Sequence, residues 1–169
     1  MTKEELDKMK GNISDPVSAM RHQAFSSRIL EKTPYLRLSD QDKRIFNRSR
    51  AISILQLYGF KSLIKDDFSG CADLLITHHN GEEFRVRVRP RPGFWKEHEY
   101  DGVLICCRGN DDHIWYLYPH DQMLLKAQSH LPFKDKPDWK KRGCYHFSPP
   151  IPAWLESLLE PYKLVGDWK

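Results

Sequence analysis

The sequence lacks the features that mark several common classes of protein. No apolar run approaches the roughly 20 residues that a membrane helix needs, and the N-terminal segment MTKEELDKMKGN is charged, without the apolar core of a signal peptide. The four cysteines show no CxxC spacing, and the chain contains neither a GxSxG motif nor a glycine-rich phosphate loop. We therefore expect a cytoplasmic protein with reduced thiols, without membrane contact, disulfide scaffold or zinc site.

The charge of the chain is modest as a total. The 169 residues carry 27 Lys and Arg against 23 Asp and Glu, a formal net charge of +4, and 40% of the residues are hydrophobic. That size and composition suit one folded core, whereas +4 alone does not indicate a nucleic-acid partner. Pro16 and Pro34 interrupt any long helix near the N-terminus. We expect an N-terminal extension at residues 1–38 and a single α/β domain at residues 39–169.

Hydrophobic periodicity and turn residues predict the order of elements. A helix is expected over Asp40–Tyr58, ended by Gly59 in the left-handed conformation, and a closing helix over Ala153–Tyr162. Residues 129–150 contain several prolines and are predicted to be mostly loop. Strands are predicted at residues 60–64, 72–77, 84–91, 100–107 and 114–118, with a short helix at 119–126.

The most informative segment is the strand FRVRVR at residues 84–89. Its strict alternation puts Arg85, Arg87 and Arg89 on one face, about 7 Å apart in succession. Such a row repels itself unless acids or phosphates lie opposite, and arginine suits bidentate contact with phosphate. The alternative is a solvated face whose charges pair with nearby acids, here Glu82, Glu83 or Asp73.

The register of the preceding hairpin gives a structural test. The dipeptide Asn80-Gly81 predicts the turn. A two-residue loop would set Asp73 against Val88 and bury its carboxylate among valines, which costs several kcal/mol. A three-residue loop or a bulge sets Asp73 against Arg89 and stacks apolar residues on apolar ones. We predict this second arrangement.

The order of elements over residues 40–125 resembles a known superfamily. A helix ending at residues 58–60 is followed by a strand, then by the segment 70–76, a hairpin to Arg87–Arg89 and a further strand at 100–107. This order is similar to that of the restriction-endonuclease-like, or PD-(D/E)xK, superfamily, especially its Holliday-junction-resolvase-like branch. The resemblance implies an α/β core with a central mixed sheet flanked by helices, and Mg²⁺-dependent cleavage of phosphodiesters.

The resemblance also assigns roles that this sequence fills only in part. It implies that Asp73 matches an aspartate that binds the metal, followed by an acid on the next strand and a lysine two residues later. Arg87 stands in the place of that acid and Arg89 in the place of that lysine. A guanidinium cannot bind Mg²⁺, which takes oxygen ligands. The preceding helix, at residues 43–58, contains no acid and four basic residues.

We therefore expect a nucleic-acid-binding protein, with DNA as the first candidate, whose nuclease-like site is degenerate and needs no cofactor. The residues expected to contact phosphates are Arg85, Arg87, Arg89, Arg91, Arg48, Arg50 and Lys96.

Two alternatives remain open from the sequence. The first is an active nuclease that uses Mg²⁺ or Mn²⁺, with Asp73 as metal ligand and catalytic residue and with Glu83 as a displaced acid. Asp66 or Asp67 could also supply the missing carboxylate. The second is a protein-interaction module of a defence or mobile-element system, whose arginine row meets an acidic partner protein.

A second basic and aromatic segment lies at residues 133–147. Its basic residues could meet phosphates while Trp139 or Tyr145 stacks on a base. The alternative is a loop packed by Trp139 and Phe147 with solvated lysines. His78 and His79 are expected to be ordinary residues of the hairpin loop.

Overall fold

The computed structural model describes residues 33–64 and 72–166. The chain divides into two compact units, Met1–Ser39 and Asp40–Lys169. In the first unit the described part is a short 3-10 turn at Tyr35–Arg37. The predictions for residues 1–32, and for the loop that holds Asp66, Asp67 and Cys71, lie outside the described residues.

Helix α1, Asp40–Leu57, begins where the sequence predicted and ends one residue earlier. Its end is a left-handed cap: Phe60 N–H donates to Leu55 O at 3.1 Å, and Gly59 has a φ of +79°. Because a side chain is strained at that φ, glycine fixes where the helix stops. The periodic apolar residues that predicted this helix are only partly buried, since Ile45 is 55% exposed.

The described residues form eight strands in two sheets. Their bounds are β1 Lys61–Ile64, β2 Leu74–Thr77, β3 Glu83–Arg89, β4 Gly93–Trp95, β5 Leu104–Arg108, β6 Ile114–Pro119, β7 Cys144–His146 and β8 Lys163–Val165. Six of them make a mixed sheet in the order β1-β2-β3-β5-β6-β8, in which only the β3–β5 pair is parallel. All five predicted strands are present, although β5 starts four residues later than predicted.

Helices pack on both faces of this mixed sheet. Besides α1, the helices are α2 His120–His130, α3 Pro137–Arg142 and α4 Ala153–Leu159. Buried residues of α1 pack with Leu74 and Val86 on one face, and those of α2 and α4 pack with Ile105 and Tyr118 on the other. The predicted α/β class with a mixed sheet flanked by helices is confirmed. Among the described residues, no helix combines the length and apolar character needed to cross a membrane.

The β2–β3 hairpin has the odd-numbered loop that the position of Asp73 predicted. His78 N–H donates to Glu82 O at 2.9 Å, which leaves three residues, 79–81, in the loop. Gly81 has a φ of +89°, a conformation that closes such a loop without strain. The prediction of a three-residue loop is confirmed.

The register of this hairpin differs from the predicted one. Leu74 opposes Val86, so the ladder extended by one residue sets Asp73 against Arg87 rather than Arg89. The physical reason is the position of the loop, which is centred on Asn80 instead of starting there. Leu74 and Val86 are both fully buried, so the predicted stacking of apolar on apolar residues is confirmed.

A two-stranded sheet of β4 and β7 lies outside the sequence predictions. Buried polar groups fix its position: Tyr118 Oη donates to Gly93 O at 2.9 Å, and Trp95 N–H donates to His120 Nε2 at 3.0 Å. Strand β7, helix α3 and a 3-10 turn all lie within residues 129–150. The prediction of mostly loop in that segment is therefore wrong, because pairing with the distant β4 orders it.

The described thiols are free and do not form disulfides. Cys106 and Cys107 are fully buried, and Cys144 is half-buried. Burial raises the pKa of Cys106 to about 12, so this thiol stays protonated at neutral pH and is a poor nucleophile. The prediction of buried, reduced thiols is confirmed for Cys106 and Cys107.

Candidate functional site

Asp73 lies just before β2, beside the part of β3 that extends beyond the β2–β3 ladder. Its backbone N–H donates to Val86 O at 2.8 Å, and its side-chain Oδ2 accepts the N–H of Val88 at 2.8 Å. The carboxylate thus takes the place of a backbone carbonyl at the end of the β2–β3 ladder. A carboxylate held by a backbone N–H has a fixed position, so groups around it form a defined site.

Three arginines converge on this carboxylate. Arg87 Nη1 lies 3.4 Å and Arg48 Nη2 lies 3.8 Å from Asp73 Oδ1, while Arg89 Nη1 lies 3.6 Å from Oδ2. The four side chains are between 20% and 22% exposed. We call Arg48, Arg87 and Arg89 the arginine cradle. It joins α1 to β3, and about a fifth of each side chain is exposed to solvent.

The arginine cradle gathers three positive charges around the carboxylate of Asp73. Two unit charges 4 Å apart interact by about 4 kcal/mol at an effective dielectric constant of 20. Asp73 supplies one negative charge for three guanidinium groups. Glu97 lies 3.8 Å from Arg89 Nη2 but is 66% exposed, so solvent screens its contribution. The described contacts of Arg48, Arg87 and Arg89 thus share one close, part-buried carboxylate.

Arg89 also contacts an aromatic ring, Trp95, and a histidine, His98. Its guanidinium lies 4.9 Å from the centre of the Trp95 ring, and Nη2 lies 3.2 Å from His98 Nε2. Burial, and next the charge of Arg89, lower the pKa of His98 to about 4. His98 is therefore neutral at pH 7, and its Nε2 can accept a hydrogen bond from the guanidinium.

The other predicted phosphate contacts lie outside the arginine cradle. Arg85 is exposed and donates to the carbonyl of Asp101. Arg91 donates to Ser148 Oγ at 3.2 Å, and the guanidinium of Arg50 lies 5.4 Å from the centre of the Phe46 ring. Lys96 is exposed. Three of the seven predicted residues therefore come together around Asp73.

Glu83 is not part of this arrangement. It opposes Thr77 in the β2–β3 ladder, four residues along the chain from Asp73, which corresponds to roughly 13 Å along a strand. Two carboxylates on one Mg²⁺ must both reach it at about 2.1 Å. Asp73 and Glu83 therefore cannot hold one ion together. Within residues 33–64 and 72–166, no group of three or more His, Cys, Asp or Glu side chains could hold a metal ion.

The sequence predicted the arginines of the cradle but not Glu97 and His98, which contact Arg89. Glu97 and His98 sit in a 3-10 turn after β4, and no spacing rule connects them to Arg89. Of the acids considered as partners for the arginine row, Asp73 pairs with it. Glu82 instead accepts a hydrogen bond from Asn80 Nδ2 at 2.7 Å, within the hairpin loop.

The second basic and aromatic segment, residues 133–147, has a different role. Trp139 is buried, and Tyr145 stacks on the buried Phe133 with ring centres 5.2 Å apart. Trp139 is buried and Tyr145 is half-buried against Phe133, which favours the alternative of a segment packed by its aromatic residues. Lys134 Nζ lies 3.2 Å from Glu99 Oε2. Packing against β4, rather than a ligand, accounts for these aromatic residues.

Comparison of the chain with protein-family models, curated proteins and solved structures finds no match.

Proposed function

We propose that this protein binds nucleic acid through its phosphates, on a restriction-endonuclease-like core whose metal site is replaced by an arginine cradle. The observation that carries the proposal is the convergence of Arg48, Arg87 and Arg89 on Asp73, each within 4 Å of a carboxylate oxygen. In the resemblance, this is the place where acids would hold the metal ion.

The order of elements supports the proposed core. Helix α1, the antiparallel strands β1, β2 and β3, and then β5 parallel to β3 follow one another as the resemblance implies. Helices lie on both faces of the mixed sheet. The position equivalent to the metal-binding aspartate, Asp73, lies beside the strand that carries Arg87 and Arg89.

Phosphate suits the arginine cradle better than a divalent cation does. Guanidinium groups form paired, charge-assisted hydrogen bonds with phosphate oxygens. The same groups repel a divalent cation at a few ångströms. An anion that reaches the exposed part of the arginine cradle lowers the repulsion among the three arginines. The proposed protein is therefore a binder and not a metal-dependent nuclease.

Nucleic-acid binding can be tested with labelled oligonucleotides and a charge-matched pair of variants. Fluorescence anisotropy at low salt is expected to show binding of the full chain, with affinity falling as salt rises because counterions are released. Arg48→Ala is expected to weaken binding about tenfold, a typical loss for a charged contact. The control is Arg142→Ala, which changes the net charge equally at a side chain that is 75% exposed and pairs only with Asp138 among the described residues; it is expected to change affinity less than twofold.

Three results would overturn the proposal. The first is an absence of binding to single-stranded and duplex DNA and RNA at low salt. The second is equal weakening by Arg48→Ala and Arg142→Ala, which would indicate attraction by net charge alone. The third is cleavage in Mg²⁺ or Mn²⁺ that requires Asp73, which would identify an active nuclease.

A further inference from the structure

Tyr100 is an exposed aromatic residue on the connection between β4 and β5. Its side chain is 94% exposed. Of the residues that the structure describes, it is the one non-glycine residue with a positive φ, +68°. Bulky side chains rarely adopt this conformation, which costs energy that the surrounding structure must offset.

The strained residue occupies a turn position that ordinarily belongs to glycine. Residues 98–101 form a β-turn in which Asp101 N–H donates to His98 O at 3.3 Å. Glu99 has φ −62° and ψ 129°, the values of the first central residue of a type II turn. The second central residue of that turn needs a positive φ and favours glycine or asparagine. Here that residue is Tyr100.

Contacts on two sides hold this turn in place. Tyr100 N–H donates to Asp121 Oδ1 at 3.1 Å, which ties the turn to α2. Arg85 of β3 donates to the carbonyl of Asp101, which ties it to the arginine strand. The tyrosine ring is therefore presented to solvent from a fixed backbone, beside an exposed guanidinium. A turn whose backbone is already ordered loses little backbone entropy when its side chain stacks on a ligand.

We propose that Tyr100 stacks on an unpaired base of the nucleic acid, so that the preferred ligand is single-stranded. This inference rests on the proposed function and names its substrate class. Stacking on a tyrosine ring needs a free base face, which an intact duplex does not offer along its length. Arg85, next to the turn, supplies a cation for the adjoining phosphate.

The neighbouring acids do not prevent this contact. Glu99 is paired with Lys134 at 3.2 Å, and Glu97 lies 3.8 Å from Arg89. Asp121 is engaged by the backbone of Tyr100 and by His120 Nδ1 at 3.1 Å. The donors to Asp121 are neutral, and Asp101 lies in the turn itself, so negative charge remains near the ring and the guanidinium of Arg85 offsets it in part.

The test compares Tyr100→Gly, Tyr100→Phe and Tyr100→Trp in the full chain. Glycine fits the positive φ, so Tyr100→Gly is expected to raise the melting temperature while it weakens binding of a single-stranded oligonucleotide roughly 5- to 150-fold, the range of aromatic–base stacking. Phe and Trp are expected to retain binding within a few-fold. The control is Leu125→Ala, an exposed apolar residue of α2 (74% exposed), for which no change is expected.

A second measurement reports stacking directly. A single-stranded oligonucleotide that contains 2-aminopurine is expected to change fluorescence on binding the wild-type protein and not on binding Tyr100→Gly. If Tyr100→Gly binds single strands like the wild type while Arg48→Ala still weakens binding, the inference is wrong and the proposed function stands. If the wild type binds no nucleic acid, both fail. If Tyr100→Gly instead releases a co-purifying protein and leaves nucleic-acid binding unchanged, Tyr100 is a protein contact and the inference is wrong.

Discussion

Two regions of this protein have closely spaced basic residues, and the fold uses them differently. In the arginine cradle, three guanidiniums converge on the carboxylate of Asp73 and are mostly buried. In residues 133–147 the basic side chains do not share one partner: Lys134 pairs with Glu99, and the others are exposed. Lys140 pairs with Asp135 at 3.9 Å and Arg142 with Asp138 at 3.7 Å, in local surface ion pairs that contribute little.

The difference between these regions lies in geometry and not in the number of charges. Strand β3 aims alternate side chains at one face, where Asp73 fixes them. Helix α3 turns Trp139 toward the core, where the preceding Phe133 is also buried, and its basic side chains outward. A dense run of basic residues therefore becomes a candidate binding site only where the fold makes the charges converge.

The largest expected effect tests the structural role of residues 133–147. Phe133 is fully buried and stacks on Phe94 with ring centres 5.2 Å apart. Phe133→Ala is expected to lower the free energy of unfolding by about 4 kcal/mol through lost burial and a cavity, measured by chemical denaturation. Lys141→Ala, at an exposed site in the same segment, should change it by less than about 0.5 kcal/mol. A loss below about 1 kcal/mol for Phe133→Ala would mean that this segment is not part of the core.

The second-largest expected effect tests His98, which contacts Arg89. Burial and the charge of Arg89 lower the pKa of His98 from 6.5 to about 4. Between those values the unfolded chain binds the proton and the folded protein does not, so stability is highest above pH 6.5 and falls as the pH drops toward 4. The loss attributable to His98 is expected to reach about 3 kcal/mol.

His98→Gln provides the comparison for this pH dependence. Denaturation of both proteins at pH 7 and pH 4 should show that the variant loses about 2–3 kcal/mol less than the wild type over this interval. His120 and His146, whose pKa values burial also lowers, contribute to both proteins and cancel in the comparison. Identical pH profiles would show that His98 does not remain neutral beside Arg89.

The sequence predicted the parts of the fold that local signals encode. Gly59 marked the end of α1 because its positive φ suits no other residue as well, and alternation along residues 84–89 identified β3 and its arginine face. The penalty of burying Asp73 among valines predicted the three-residue loop of the hairpin. The same argument set Asp73 against Arg89, and the structure places Arg87 at Asp73 as well.

The missed features depend on contacts between distant segments. β4 and β7 are three residues each and are about 50 residues apart in the chain, so neither carries a periodic pattern of its own. The aromatic Trp139 could equally have faced a ligand or the core, because composition does not state which side of α3 is covered. Glu97 and His98 lie near Arg89 because of the course that the chain takes between β4 and β5, which no local sequence pattern encodes.

The most direct test of the account is the affinity of Asp73→Asn for a labelled oligonucleotide at fixed low salt. Asparagine keeps an oxygen that can accept the N–H of Val88 but removes the negative charge from the arginine cradle. If the arginines bind phosphate, the variant should bind about fivefold more tightly, as expected for removing one repulsive charge near the surface. Weaker binding, or the loss of a cleavage activity that the wild type shows with Mg²⁺ or Mn²⁺, would contradict the account.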